Sequence, residues 1–404
     1  MPCRVEPAPS RPSAPSHPLP PALGWIAGDL ESLAARGLER PQRVRDGRQG
    51  AEVSLDGRRL LNFGSNDYLG YAGDVRLTKA AAKAACAEGF GAGASPLVSG
   101  HSRAHEALEH AIAALLDVPA AVVFPSGFAA NSATIAALVG PGDLVASDER
   151  NHASIIDGCR LARAEIAVYP HRDVAALERI LAGASARRRL VVTDTLFSMD
   201  GTVAPLADLA AVADRHAAML LVDEAHATGV FGGRGSGLVE EAGVADGVHV
   251  RTGTLSKAVG AAGGFVAGHA DFVRWLRHHA RAWIFSTAHP PAVAAAATRA
   301  IGLLATEPRR RGDLLARAAS FRARLRSGGL DLGGAAAQIV PVVAGTAEAA
   351  VALSERLADL GFFVPAIRPP SVPHGRSLVR ASLSWLHAET DLERLADALV
   401  TACR

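Results

Sequence analysis

Between residues 120 and 268 the chain repeats one rhythm: a short apolar run, a turn, then an amphipathic stretch. The apolar runs are Ala121–Phe124, Leu144–Ala146, Ile166–Tyr169, Leu190–Thr193, Met219–Val222, Val248–Val250 and Gly264–Ala267. Runs this short and continuous are strands buried on both faces, because a half-exposed strand would alternate polar and apolar positions. The stretches between them, such as Ser154–Arg163 and Leu206–His216, carry helical spacing. Strand and helix in alternation predict an α/β fold: a mostly parallel seven-stranded sheet with helices on both faces.

The flanks read differently. Residues 1–22 carry proline every few positions and little to bury, which predicts a disordered or polyproline tail. Leu23–Arg40 has helical spacing, and Glu52–Phe63 reads as a hairpin around Asp56-Gly57. After Trp283 come long alanine- and arginine-rich helices, up to about Arg326. A smaller α+β unit follows: a strand over Ala337–Val343, a helix over Ala347–Leu360, strands near Phe362–Ile367 and Leu378–Leu383, and a final helix. Thr390 and Glu393 are spaced as a capping box for that last helix. The expected organisation is a tail (1–22), a helix-and-hairpin segment (23–60), a large domain (61–300) and a small C-terminal α+β domain (301–404).

Composition narrows the function. Lys and Arg total 42 against 40 Asp and Glu, and the basic residues are scattered, so no stripe offers itself to nucleic acid. The four cysteines, Cys3, Cys86, Cys159 and Cys403, lie far apart, which fits free thiols in a reducing compartment. No apolar run approaches the roughly 18 residues that span a bilayer. A soluble, cytoplasmic protein acting on small molecules is the expectation, with no metal site.

Only three of the basic residues are lysines. Lys79 and Lys83, four apart in an alanine-rich stretch, read as a solvated helix face. Lys257 follows a strand and precedes a glycine-rich turn, where catalytic groups of α/β enzymes gather. A lysine amine can lose its proton and condense with an aldehyde, which a guanidinium cannot do. Asp223 ends the most hydrophobic run, where a carboxylate needs a cation or donors. A buried pyridinium nitrogen is one candidate partner; a helix cap or an arginine is the other. His226 follows three residues later. Ser126-Gly127-Phe128 turns from a strand into a helix whose first amides suit a phosphate ester. His152 and Ser198 follow two further strands. Five strand ends thus place Gly127, His152, Ser198, Asp223 with His226, and Lys257 along one rim. Phosphate site, stacking imidazole, ring-pairing carboxylate and reactive amine together describe a pyridoxal 5'-phosphate (PLP) site. By contrast Gly233-Arg-Gly235-Ser-Gly237 lacks the glycine-to-helix transition of a dinucleotide site.

The segments Asn62–Gly70, Ser126–Asn131, Asn151–Ser154, Phe197–Gly201, Asp223–His226 and Thr254–Lys257 together resemble the α-oxoamine synthases, a family of fold-type I PLP-dependent transferases. The resemblance runs from about Leu61 to Leu399. It implies an acyltransferase that joins an amino acid to an acyl thioester with loss of carbon dioxide. The tail Pro365–Pro373 is most similar to the member that condenses L-alanine with a pimeloyl thioester in biotin biosynthesis. Sister enzymes taking glycine with an acetyl thioester, or serine with a long-chain one, would keep every cofactor residue.

By that resemblance Lys257 carries the cofactor and moves protons, Asp223 pairs with the ring nitrogen, and His152 stacks on the ring and meets substrate. Gly127, Phe128, Ser198, His226 and Thr254 complete the cofactor site. Arg40 and Ser371 would face the acyl substrate, and Arg368 is a further candidate for a carboxylate. The resemblance also implies a homodimer in which Ser286 and Thr287 reach the partner's phosphate. Asp194 stands where the family pattern has glutamate, and Ser371 where threonine is commoner.

Overall fold

The computed structural model describes residues 19–403 and falls into two compact units, one ending at Gln42 and the other running from Arg43. Most of the proline-rich tail lies outside the described residues; its end, Pro21–Leu23, forms a short 3-10 helix. The first unit holds helix α1 (Trp25–Ala35).

The second unit is built on seven strands: β1 (Ala120–Phe124), β2 (Leu144–Asp148), β3 (Glu165–Tyr169), β4 (Arg189–Asp194), β5 (Met219–Asp223), β6 (Val250–Thr254) and β7 (Gly264–Gly268). Their spatial order is β1-β7-β6-β5-β4-β2-β3. All run parallel except β7, which is antiparallel to both β1 and β6. The period of two sorts side chains between two cores. Val123, Ala146, Val191, Val222 and Phe265 enter one, while Val122, Val145, Val192, Leu221 and Val266 enter the other. Only the edge strand β3 leaves Ile166 and Val168 exposed.

The expected strand at Val248 starts later. A 3-10 turn occupies Ala245–Gly247, and pairing with β5 begins at Val250 opposite Leu221. The strand then continues through Arg251-Thr252-Gly253-Thr254, which hydrophobicity alone does not mark. These polar residues are buried and used: Arg251 donates to the carbonyls of Leu116 and Ser236, and Thr252 to Asn131.

Helices α2 (Gly127–Leu138), α3 (Ala153–Ala162) and α4 (Leu206–Arg215) follow β1, β2 and β4. Further on, α5 (Pro291–Thr306) runs across residue 300 and leads to α6 (Arg309–Ser327). The C-terminal part carries a separate sheet of β8 (Ile339–Gly345), β9 (Ala366–Ile367) and β10 (Ser377–Ser382), in the order β8-β10-β9, with helices α7 (Ala347–Asp359) and α8 (Glu389–Ala402). This is the expected smaller α+β portion. One local expectation fails. Helix α8 begins at Glu389 after an extended Ala388, so Thr390 is already inside the first turn and the capping box does not form. The Asp56-Gly57 hairpin does form, joining Glu52–Leu55 to Arg58–Asn62. Phe362–Phe363 then pairs parallel to Arg58–Asn62, tying the hairpin to the C-terminal part.

Candidate active site

Because six of the seven strands point the same way, their carboxyl ends open on one rim, where ligands of parallel sheets bind. At the centre of this rim lies Lys257. Its Nζ is 2.8 Å from Nε2 of His226, and Nδ1 of His226 is 2.6 Å from the Tyr68 hydroxyl. Burial pulls the Lys257 amine down to about 8, against the opposing pull of the Asp223 and Asp194 carboxylates. An amine at 8 is neutral in about one molecule in ten at pH 7, where a free lysine is neutral in only about one in 2,500. Burial, then the charges of Lys257 and Arg380, hold His226 far below the usual imidazole range, so it is neutral.

A neutral imidazole has one proton, which couples the three groups. With Lys257 charged, Nζ donates to Nε2, Nδ1–H donates to Tyr68, and the tyrosine hydroxyl turns to Asn66 Oδ1 at 3.3 Å. With Lys257 neutral, Tyr68 donates to Nδ1 and Nε2–H donates to Nζ. In both arrangements the two ring nitrogens of His226 and the Tyr68 hydroxyl keep a partner, so the amine can change charge without leaving the imidazole unpaired. Burial keeps the Tyr68 phenol protonated throughout.

Asp223 closes β5 and is 5 % exposed. Its Oδ2 accepts from Asn131 Nδ2 at 2.6 Å and its Oδ1 from the amide of Ala225 at 2.8 Å. Asn131 is oriented in turn by Thr252 (2.6 Å) and Ser154 (2.9 Å). Among the described residues no arginine or lysine forms an ion pair with Asp223, which leaves a buried carboxylate suited to a protonated ring nitrogen. His152 caps α3. Its Nδ1 meets the hydroxyl of Ser154 at 2.7 Å, and its own amide donates to Asp194 Oδ2 at 2.7 Å. Burial keeps the ring neutral, and the Phe128 ring lies edge-on to it with centroids 6.5 Å apart. Burial and the neighbouring Asp223 hold the Asp194 carboxyl well above the usual carboxylate range. Asp194 lies opposite Asp223 in the sheet. The shorter side chain at this position therefore still orients the His152 backbone.

Gly127 opens α2. Ser126 Oγ takes the amide of Ala129 at 3.1 Å, leaving the amides of Gly127 and Phe128 directed at the rim. Thr254 packs beneath: a Cβ on Gly127 would stand 3.2 Å from Cβ of Thr254, whose hydroxyl donates to Gly263 at 2.8 Å. Two amides at a helix start, unpaired among the described residues, could hold an anion such as a phosphate. The Gly233–Gly237 loop is no rival, because the Glu240 carboxylate already accepts its amides at Arg234 (3.0 Å) and Ser236 (3.1 Å).

The structure also brings in a residue that the sequence reading missed. Arg380, in β10, is 7 % exposed, donates to the Ser198 carbonyl (2.9 Å) and Asn66 Oδ1 (3.3 Å), and acts electrostatically on Lys257 and His226. Its Nε has no partner among the described residues. A lone charge in the apolar run Leu378-Val379-Arg380-Ala381 was the available signal. Arg368 and Ser371 form a separate turn, closed by Ser371 N–H to the Arg368 carbonyl at 3.0 Å, just after β9. Arg40 belongs to the N-terminal unit. Ser286 and Thr287 lie just before α5.

The family model for aminotransferase class I and II matches residues 58–399. The 8-amino-7-oxononanoate synthase of Anaeromyxobacter dehalogenans (strain 2CP-1) is 50 % identical, over 94 % of this chain and 95 % of its own. That of Geobacter sulfurreducens is 47 % identical, over 93 % and 96 %. Among solved structures, a serine palmitoyltransferase of S. paucimobilis with bound PLP and myriocin gives a TM-score of 0.89 at 31 % identity, covering 94 % of this chain and 97 % of that one. The 8-amino-7-oxononanoate synthase of Francisella tularensis gives 0.75 at 26 %, covering 85 % and 97 %. The chain therefore belongs to the aminotransferase class I and II family and, within it, to the α-oxoamine synthases that include 8-amino-7-oxononanoate synthase.

Proposed function

We propose that this chain condenses L-alanine with a pimeloyl thioester, on coenzyme A or a carrier protein, to give 8-amino-7-oxononanoate, carbon dioxide and the free thiol. The observation that carries the reaction class is the buried Lys257 amine, hydrogen-bonded to a neutral His226 on the rim that also holds Asp223. Substrate choice is supported by full-length identity near 50 % to 8-amino-7-oxononanoate synthases, against 31 % to the serine palmitoyltransferase.

The residues fit PLP. Lys257 would hold its aldehyde carbon, Asp223 its ring nitrogen, the Gly127–Phe128 amides its phosphate, and His152 its ring face, with Ser198, His226 and Thr254 around it. When bound, PLP supplies an electron sink for the pair left behind when a proton or carbon dioxide departs from the amino acid's α-carbon. The chain supplies the rest. Lys257 Nζ takes the α-proton and later returns one to the same carbon, and His226 and Tyr68 reset the amine by the hydrogen-bond switch described above. Asp223, fixed by Asn131 and Ala225, keeps the ring nitrogen protonated. Arg380 grips the amino acid's carboxylate until decarboxylation, since a guanidinium pairs with a carboxylate bidentately. Arg40, Arg368 and Ser371 serve the acyl substrate and its carboxylate. The working unit is a cytoplasmic homodimer, in which Ser286 and Thr287 approach the partner's phosphate.

Purified protein with alanine, glycine or serine and pimeloyl-, acetyl- or palmitoyl-CoA tests this. Carbon dioxide and free thiol should appear together only with alanine and the pimeloyl thioester. Equal or faster turnover of serine with palmitoyl-CoA would assign the chain to a sister activity.

A further inference from the structure

Strand β7 runs against its neighbours, so its first residues, not its last, reach the ligand rim. A Cβ on Gly264 would collide with the Ser126 carbonyl and the Gly127 amide, so this strand start touches the phosphate turn backbone to backbone. Gly263 has φ +115°, and a Cβ there would run into Nε2 of His289. Its carbonyl takes the amide of Leu255 at 2.9 Å and the hydroxyl of Thr254 at 2.8 Å. The glycine pair is thus wedged between the turn, Thr254 and the His289 ring.

His289 is itself fixed. Its carbonyl accepts from His105 Nε2 at 3.0 Å, the amide of Ala288 donates to Ala94 at 3.0 Å, and Pro290 and Pro291 follow at the start of α5. The side chain is 9 % exposed, stacked on His105 with ring centroids 6.3 Å apart. Its Nε2 has no hydrogen-bond partner among the described residues. The ring therefore contributes shape and stiffness, not a hydrogen bond.

We infer that His289 is a positioning residue for the phosphate end of the cofactor, the spacer that seats Gly263–Gly264 against the Ser126–Gly127 turn. This rests on that turn being the phosphate site. Without the ring, Gly263 gains room, the turn loosens, and the amides lose their aim, while the grip on the pyridine ring by Asp223 and Lys257 is untouched.

The test compares PLP with pyridoxal, which lacks the phosphate, in titrations of the full-length protein freed of cofactor. His289→Ala should weaken PLP binding about tenfold or more and pyridoxal binding by less than about twofold. His289→Met, which refills the space without an imidazole, should restore most of the PLP preference; His289→Asn carries the comparison if the alanine variant does not fold. An unchanged ratio of the two affinities, or an equal loss of both, would overturn the inference. A parent protein that binds PLP no better than pyridoxal would instead overturn the phosphate site itself.

Discussion

At the scale of the residue, the proposed chemistry turns on Lys257, whose amine is pulled down to about 8 by burial. Desolvation alone would leave Lys257 a reluctant cation, and the Tyr68–His226 pair offers a second hydrogen-bond arrangement that suits the neutral form. Removing the hydroxyl removes that preference. Tyr68→Phe should shift the acidic limb of the pH–rate profile to higher pH, because the amine then holds its proton more tightly, and lower turnover by about tenfold or more. A profile unmoved on its acidic side would exclude the coupling. Arg380 makes a different demand, since the bidentate grip on a carboxylate proposed for it is specific to a guanidinium. Arg380→Lys should raise the KM for alanine by about tenfold to a hundredfold while that for the acyl thioester changes little. A uniform effect on both substrates would mark a structural role only. The placing of Gly127, His152, Ser198, Asp223, His226 and Lys257 on one rim was legible because each lies at or within four residues of the end of a strand of the same sheet. Arg380 and Tyr68 were not, since they come from the distant segments 377–382 and 62–70, and only tertiary packing brings them to the rim.

At the scale of the element, the segment 62–70 is held by the turn that follows β10. The amide of Trp385 donates to the Tyr68 carbonyl at 2.8 Å, and Ser384 Oγ to that of Asp67 at 2.8 Å. His387 stacks on Phe63 with centroids 4.1 Å apart, and its Nε2 meets the Asn62 carbonyl at 3.0 Å. Burial pushes His387 down to about 4; His289 is likewise pushed to about 4 by burial and by His105. For such groups the folded chain binds fewer protons than the unfolded one between about pH 4 and 6.5. Their stabilising effect is complete above 6.5 and is lost as pH falls through that window, by up to about 1.4 kcal/mol per pH unit for each group. The thermal midpoint should therefore drop steeply between pH 6.5 and 4.5. His387→Asn should be less stable at neutral pH yet show a shallower acid fall; an equally steep one would mean that other groups set the slope. Strand positions were legible from apolar runs, but their ends were not. Strand β6 carries buried Arg251, Thr252 and Thr254 because it reaches into the site, so hydrophobicity understates it. Helix α8 starts before its expected cap because Ala388 is already extended.

At the scale of the molecule, the seven-stranded parallel architecture follows from runs too short for helices and too apolar for half-exposed strands. The antiparallel entry of β7 did not follow, because Gly264–Ala267 reads the same in either direction. That reversal matters: it delivers a strand start, with Gly263 and His289, to a rim otherwise built of strand ends. Whatever the substrate, the proposed function would have all of these parts serve one adduct. The most direct measurement is the absorbance spectrum of the purified protein with PLP, followed by borohydride reduction and mapping of the modified peptide. The expected result is a visible band that changes on adding L-alanine, and a reduced pyridoxyl group on Lys257 alone. A protein that takes up no PLP, or one that carries the reduced group on Lys79 or Lys83, would contradict the central role of Lys257.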